Sequence, residues 1–432
     1  MFGGDIACLH LALFLTLILR YPRALWAKNW QGHWPNFLIV FGLWLLISYI
    51  NSLYSLNLKT VSRKFLGAAL NTAIVSGLLS ILYFYLNPAT NIAPKTNLLI
   101  FMAIFLIFFL IWRGLYQALV HSFLPQDNLA IIGDNVKTAK LLAGLQNNPG
   151  AGYHAALIFK NAAEITALGD TIKAKNIRAI VVCDDFGQSE KLSQILFNCL
   201  AYNINFFDYP DFYELLTDKI PVEAIGPDWF LENLREGKKN YFNLVKKYFD
   251  FILALFILLV SLVFWPLIAV LIKLTSRGPI FFRQTRLGKQ EKPFTIIKFR
   301  TMRTNDNNLS PTRSDDERVF GFGSFLRRTR LDEIPQVINI LKGEMSFIGP
   351  RPERPEIIAE LERQIPFYKT RLLIKPGLTG WDQISGHYHS ASSEDSLEKL
   401  QYDLFYIKQR SFYLDLTIAL KTLATMMGQE GR

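Results

Sequence analysis

The amino-acid sequence predicts a membrane protein in three parts: an N-terminal bundle of four transmembrane helices, a central α/β domain, and a C-terminal domain rich in clustered charges. Three observations predict this order. Long apolar blocks occupy residues 1–120, short apolar runs alternate with helical stretches over 121–235, and residues 240–432 combine one more apolar run with groups of arginines and carboxylates. We take these three ranges as the predicted domains.

The composition supports a protein that is associated with a membrane. The 432 residues include 47 Lys+Arg and 36 Asp+Glu, which gives a formal net charge of +11, and 50% are hydrophobic. This mixture excludes a disordered tail, a collagen-like fibre and a disulfide scaffold. The basic residues form no single soluble stripe, so we expect no nucleic-acid partner.

Four apolar blocks predict the transmembrane helices. A span needs about 20 residues, which one block reaches alone and the others reach with flanking aromatic and small residues. Basic residues between the second and third blocks, and Arg113 after the fourth, favour a cytoplasmic C-terminal side, whereas Arg20 after the first block argues the other way. The blocks are Ile6–Leu19, Asn36–Ile50, Phe65–Leu86 and Asn97–Trp112.

The central domain is predicted to contain a parallel sheet, because helical stretches separate four short apolar runs. The turn Gly133-Asp134-Asn135 follows the first run, where a dinucleotide-binding fold carries its glycine fingerprint. Asn135 and Thr138 stand in place of the second and third glycines. We therefore predict a degenerate Rossmann-like domain, which also disfavours an NAD-dependent sugar epimerase or dehydratase. The runs are Asn128–Ile132, Ala155–Phe159, Ile177–Cys183 and Ile204–Phe207.

A further apolar run covers about residues 246–274 and contains Pro266. Proline removes one helical hydrogen bond and clashes with the preceding turn, so it breaks or kinks a helix. The run is either a kinked fifth span or a hairpin that enters and leaves the membrane by one face. Basic residues at both ends suit a hairpin, but the residues alone leave both alternatives open.

The adjacent pair Asp332-Glu333 is the main candidate for chemistry. Two neighbouring carboxylates can hold a divalent cation, and one of them can also attack phosphorus. Arginines near the pair, among them Arg327 and Arg351, offer bidentate donors for phosphate oxygens. These residues predict phosphoryl transfer at a membrane surface. The plainer alternative is a solvated helix start with ion-paired arginines.

Four motifs resemble the bacterial sugar transferase family, whose members are polyprenyl-phosphate hexose-1-phosphate transferases. The resemblance covers about residues 240–425, and the N-terminal half is similar to that of the large members. It implies an α-rich C-terminal domain with the monotopic phosphoglycosyl transferase fold and a re-entrant membrane helix broken at Pro266. The motifs are Gly278–Met302, Leu331–Glu353, Lys375–Trp381 and Leu400–Leu416.

The resemblance also implies a reaction and its residues. A nucleotide diphosphate sugar, expected to be a UDP-sugar, gives its sugar-1-phosphate to polyprenyl (undecaprenyl) phosphate. Asp332 is the implied nucleophile that becomes covalently bound to the phosphosugar, and Glu333 completes an implied Mg²⁺ site with it. The expected phosphate- and substrate-binding residues are Lys298, Arg300, Arg327, Pro350 and Arg351.

The same resemblance predicts a multi-pass protein of the bacterial inner membrane with a cytoplasmic catalytic domain, which initiates exopolysaccharide, capsule or other glycoconjugate synthesis. A homodimer is left open. The alternative is a non-catalytic, membrane-anchored binding or regulatory module of a polysaccharide assembly complex. Relatives often carry Asn-Gly-Arg where this chain has Ser385-Gly386-His387-Tyr388-His389, so the sugar and the roles of His387 and His389 are not predicted.

Overall fold

The computed structural model describes most of the chain and divides it into two compact units, Met1–Phe207 and Asp208–Arg432. His387 and His389 lie outside the described residues. The described residues are 1–51, 53–54, 63–87, 94–123, 126–160, 168–183, 190–199, 202–234, 236–303, 316, 318–385 and 392–427.

Four helices of the first unit are long and apolar enough to cross a membrane, which confirms the prediction of four candidate spans. Phe37, Trp44 and Phe101 fill the centre of the bundle. Leu70 and Leu78 point outwards and are more than half exposed, as lipid-facing residues would be. The helices are α1 (Phe2–Arg20), α2 (Trp26–Ile50), α3 (Arg63–Leu86) and α4 (Pro94–Phe123).

A buried ion pair joins α1 to α4. The Arg113 guanidinium donates to the Asp5 carboxylate at 2.7 Å, and the two side chains are 3% and 1% exposed. In the sequence, Arg113 directly follows the fourth apolar block. The structure instead places it within α4. Arg113 therefore gives no information about which loops are cytoplasmic.

We expect Asp5→Asn to destabilise the bundle by about 3–5 kcal/mol, because it leaves the buried Arg113 charge without its carboxylate. Unfolding of the detergent-solubilised protein measures the change. The double variant Asp5→Leu/Arg113→Leu is the control, since an apolar replacement of a buried pair is often neutral or stabilising. A double variant as unstable as Asp5→Asn would contradict this explanation.

The remainder of the first unit is a four-stranded sheet with the order β2-β1-β3-β4, in which β1 pairs in parallel with both β2 and β3. This confirms the predicted parallel sheet with helices. The strands are β1 (Asp127–Ile132), β2 (Tyr153–Phe159), β3 (Ile177–Val182) and β4 (Asn205–Asp208), and the helices are α5 (Val136–Asn147), α6 (Leu168–Lys175) and α7 (Glu190–Cys199).

The first turn of this sheet is closed by its own side chains. Asn135 Oδ1 accepts hydrogen bonds from the backbone N–H groups of Lys137 at 2.9 Å and Thr138 at 3.2 Å. Asn135 Nδ2 donates to the Cys183 carbonyl oxygen at 3.1 Å. In a dinucleotide-binding fold, the N-terminal amides of this helix face the pyrophosphate. Here a side chain occupies two of them.

The second unit is rich in helices and contains two small strand pairs, an antiparallel β5–β6 hairpin and a parallel β7–β8 pair. Its helices are α8 (Tyr209–Thr217), α9 (Pro227–Asn233), α10 (Asn240–Leu262), α11 (Trp265–Thr275), α12 (Gly321–Arg328), α13 (Val337–Leu341), α14 (Pro355–Gln364), α15 (Trp381–Ile384), α16 (Ser393–Gln409) and α17 (Phe412–Met427). Its strands are β5 (Phe281–Leu287), β6 (Pro293–Phe299), β7 (Ser346–Ile348) and β8 (Gly377–Thr379).

Residues 208–234 pack within the second unit, although the sequence groups them with the central domain. Ile220, Val222 and Ile225 share an apolar cluster with Leu361 of α14 and Leu404 of α16. Short apolar stretches such as these do not reveal from sequence alone which neighbour will bury them.

Helices α10 and α11 meet at a break and are bent by 60° relative to each other. Pro266 lies in the first turn of α11, where its missing N–H costs no helical hydrogen bond. A bend of this size suits both a broken span and a re-entrant hairpin. Both helices expose large apolar side chains, including Phe256, Leu259 and Leu267.

Candidate active site

Lys298 reaches the site from the second strand of the β5–β6 hairpin. Alternate side chains of a strand share a face, and Lys298 shares its face with Phe294 and Ile296, which are both buried. Those two residues pack against Ala254 of α10 and Val337 of α13. The same packing carries the Lys298 ammonium group towards the segment that precedes α13.

Asp332 and Glu333 begin a 3₁₀ segment, Leu331–Gln336, between α12 and α13. Arg330, immediately before it, has φ +57°, a left-handed conformation that turns the chain sharply after α12. Both carboxylate residues are only 8% exposed. They form a buried dyad, in contrast to the solvated helix start that the sequence allowed.

Glu333 is the ion-paired member of the dyad. Its Oε1 accepts from Lys298 Nζ at 2.5 Å and from Arg351 Nη2 at 3.4 Å. Burial by itself would raise the pKa of Glu333, but Lys298 and Arg351 outweigh that effect and lower the pKa to about 2. Glu333 is therefore ionised at neutral pH and holds two cations in place.

Asp332 has the opposite environment. Its Oδ1 is buried and has no hydrogen-bond partner among the described residues. Burial and the neighbouring Glu333 charge raise the pKa of Asp332 to about 6, although Lys298 and Arg327 act in the opposite direction. At neutral pH Asp332 is thus an ionised carboxylate with an oxygen that is free for another atom.

Lys298 and Arg351 line one narrow cavity beside the dyad. Arg351 is 39% exposed, so its guanidinium is accessible to a ligand. The prolines on either side of Arg351 restrict its backbone, which limits the entropy lost when the side chain binds. The cavity is lined by Arg286, Ile296, Lys298, Gln336, Arg351, Pro352, Gly377 and Leu378.

The other predicted site residues have more varied positions. Arg327 Nε donates to Thr301 Oγ1 at 2.9 Å, and its charge acts on Asp332. Arg300 is 2% exposed and donates to the backbone carbonyls of Ser276, at 2.6 Å, and Arg277. The structure therefore brings Arg327 close to the dyad and directs Arg300 to the end of α11.

Pro350 contributes through its backbone, because its carbonyl oxygen accepts from Gly377 N at 2.9 Å. This close approach requires glycine, since a Cβ at Gly377 would lie 2.1 Å from Gly349 N. The Gly349-Pro350-Arg351 turn is thereby joined to the Pro-Gly turn of the third sequence motif.

Asn339 is a site-supporting residue that the sequence analysis missed. It is fully buried in α13, donates to the Thr295 carbonyl oxygen at 2.7 Å and accepts from Ile297 N at 3.3 Å. Its amide thus pairs with the free edge of β6, one residue from Lys298. The available sequence signal was a lone amide within the apolar stretch Val337–Leu341.

The two carboxylates of the dyad can bind a divalent cation only if a bound substrate and water supply the remaining ligands. Among the described residues, no group of three or more His, Cys, Asp or Glu side chains could hold a metal ion. The free Asp332 oxygen and the adjacent Glu333 carboxylate provide two protein groups. Mg²⁺ commonly takes one or two carboxylates and completes its shell with substrate phosphates and water.

Comparison with known proteins identifies similar sequences across the chain. The family model described as "Bacterial sugar transferase" matches residues 241–429, which include the whole site. A UDP-glucose:undecaprenyl-phosphate glucose-1-phosphate transferase of Xanthomonas campestris pv. campestris is 33% identical over 343 residues, which cover 74% of this chain and 70% of that protein.

Two further relatives match shorter stretches of the chain. A UDP-N-acetylgalactosamine-undecaprenyl-phosphate N-acetylgalactosaminephosphotransferase of Aeromonas hydrophila is 43% identical over 161 residues, 37% of this chain and 38% of that protein. The exopolysaccharide production protein PSS of Rhizobium leguminosarum bv. phaseoli is 36% identical over 188 residues, 42% of this chain and 94% of that protein. The second of these is matched over almost its whole length by less than half of this chain.

Proposed function

Because the chain belongs to the bacterial sugar transferase family, we propose that it transfers sugar-1-phosphate from a nucleotide diphosphate sugar to polyprenyl phosphate. The observation that carries this proposal is the buried Asp332-Glu333 dyad. One carboxylate is neutralised by Lys298 and Arg351, and the other has a free oxygen. The names of the relatives, which are undecaprenyl-phosphate sugar-phosphate transferases, support the same reaction class.

In the proposed mechanism, an Asp332 oxygen attacks the phosphorus that bears the sugar. The bond from that phosphorus to the nucleoside monophosphate breaks, and an aspartyl phosphosugar remains. An oxygen of polyprenyl phosphate then attacks the same phosphorus, which gives polyprenyl-diphosphate-sugar and frees Asp332. Glu333 is the less suitable nucleophile, because Lys298 and Arg351 occupy its Oε1.

Arg351 and Lys298 have different roles in this mechanism. Arg351 is accessible enough to bind a phosphate oxygen while Glu333 holds it in place. Lys298 lowers the negative charge around the dyad, so that a diphosphate can approach a carboxylate nucleophile. Asp332 and Glu333 would hold Mg²⁺, which when bound neutralises diphosphate charge.

The proposed setting is the bacterial inner membrane, with the catalytic part on the cytoplasmic face. The α10–α11 bend would form a re-entrant hairpin, which brings the site to the lipid surface where polyprenyl phosphate is anchored. The central sheet would be a degenerate Rossmann-like domain. We further propose initiation of exopolysaccharide or another glycoconjugate; whether the chain forms a homodimer stays a prediction.

The donor is proposed to be a UDP-sugar, because the relatives named above use UDP-glucose and a UDP-linked N-acetylgalactosamine. Their different sugars leave the sugar of this chain unassigned. The experiment incubates the full-length protein in lipid nanodiscs with Mg²⁺ and a panel of UDP-sugars, without polyprenyl phosphate. We expect one donor to release about one UMP per site and to leave a sugar-phosphate mass on the peptide that contains Asp332.

Addition of undecaprenyl phosphate should then convert this single release into continuous turnover, and removal of Mg²⁺ by EDTA should abolish it. Release without any adduct would contradict the covalent mechanism. If no UDP-, GDP- or dTDP-sugar gave release or adduct with folded protein, the membrane-anchored binding module would become the better description.

A further inference from the structure

The backbone that carries Arg351 is held by its neighbours at both ends. The Pro350 carbonyl oxygen accepts from Gly377 N at 2.9 Å, and the Glu353 carbonyl oxygen accepts from Leu287 N at 3.1 Å. The first bond comes from β8 and the second from the last residue of β5. Arg351 thus lies on a segment that two separate strands fix.

Two arginines, the buried Arg371 and the half-buried Arg286, hold the carbonyls between those ends. Arg371 Nη2 donates to the Arg351 carbonyl oxygen at 3.1 Å, and Arg286 Nη1 donates to the Pro352 carbonyl oxygen at 3.1 Å. Four successive carbonyls, from residue 350 to residue 353, therefore each accept one hydrogen bond. Carbonyls of an exposed loop usually bond to water, whereas protein donors hold these four.

The Glu353 side chain lies between these two arginines. Its Oε2 is 3.6 Å from Arg286 Nη1, and its Oε1 is 3.9 Å from Arg371 Nη1. Both arginines have further partners. Arg371 pairs with Asp403 at 2.8 Å and donates to the Tyr368 hydroxyl at 2.6 Å, and Arg286 donates to Gln284 at 2.7 Å. Glu353 is the one of these partners that faces both arginines.

We propose that Glu353 is a positioning residue for the transfer reaction. It holds Arg286 and Arg371 where they fix the backbone of residues 351–352, and that backbone directs the Arg351 guanidinium towards Glu333. The inference rests on the proposed function for its catalytic consequence. Its structural part, the fixation of the segment, is independent of that function.

The structural part is tested by hydrogen–deuterium exchange of the full-length protein in nanodiscs. Glu353→Gln removes the charge and keeps the shape of the side chain. We expect faster exchange at the amides of Leu287 and Gly377, which donate to the ends of the segment. Glu360→Gln is the matched control, because Glu360 is an exposed glutamate in α14, and it should leave both amides unchanged.

The catalytic part is tested by a double-mutant cycle with Arg351→Lys, which keeps the charge but loses the bidentate fork. In the wild-type background, we expect Glu353→Gln to lower kcat for UMP release about tenfold, with KM for the UDP-sugar changed less than about twofold. In the Arg351→Lys background, the same change should cost less than about twofold, since residues that act through one another are not additive.

Failure of the proposed function and failure of the positioning role would give different results. A wild-type protein that releases no nucleotide from any donor would overturn the proposed function, whereas the exchange measurement would still decide whether Glu353 fixes the segment. Unchanged exchange at both amides, or an equal cost in both backgrounds, would overturn the positioning role. If Glu353→Gln does not fold, Arg286→Lys takes its place in both tests with the same expected directions.

Discussion

We expect Asp332→Asn to lower sugar-phosphate transfer by more than about a thousandfold, because the neutral amide of asparagine is a far weaker nucleophile than a carboxylate. The same change should stabilise the fold at neutral pH. The pKa of Asp332 is raised from 3.8 to about 6, so the native state favours its protonated form. At pH 7 the ionised carboxylate therefore costs up to about 3 kcal/mol of stability. A neutral amide at this position carries no such cost.

The stability difference between the wild-type protein and Asp332→Asn should depend on pH. The pKa of Asp332 is higher in the folded protein than in the unfolded chain. The wild-type protein should therefore lose stability as pH rises from about 4 to about 6, and Asp332→Asn should lack that decline. UMP release and thermal unfolding are measured on the same samples. Asp228→Asn, at an exposed position of α9, is the control and should change neither.

An inactive variant that is also less stable would indicate that Asp332 supports the fold. Retained release of UMP would contradict its role as nucleophile. The predicted combination, lost activity with a higher unfolding temperature, is typical of groups that are held in an unfavourable environment for function.

The sequence predicted the dyad well because its members are adjacent, so no long-range folding is needed to bring them together. The sequence could not show that Lys298 and Arg300 have different positions. They are two residues apart, so alternation along a strand predicts that they share a face. β6 ends at Phe299, and beyond that point Arg300 turns to the carbonyls at the end of α11. That difference depends on where a strand ends, which local pattern defines poorly.

Helices and strands were predictable where the hydrophobic pattern of a single segment identifies the element. The four candidate spans and the parallel strands are long or regular enough to be recognised individually. Features that need two distant segments were not predictable. Asp5 and Arg113 are joined across 108 residues, and Asn339 meets β6 across 42–44 residues. In each case the polar residue looks like a surface or loop residue until its partner is known.

Lys298→Met is the second change with a large expected effect. It removes the closer of the two cations that bind Glu333 Oε1 and leaves a buried carboxylate with Arg351 alone. Breaking such a pair costs about 3–5 kcal/mol of stability. Loss of one positive group beside a phosphoryl transfer centre should also lower kcat by about 10²–10³-fold.

The rate profile distinguishes an electrostatic role of Lys298 from a purely structural one. Lys298 lowers the pKa of Asp332, so its removal should raise that pKa further above 6. Only the ionised carboxylate attacks, so the variant should lose UMP release at a higher pH than the wild type as the solution is acidified. Lys292→Met, an exposed change in the same hairpin, should leave the profile in place. An unshifted acid limb in Lys298→Met would mean that the ammonium group acts on Glu333 alone and has no influence on the nucleophile.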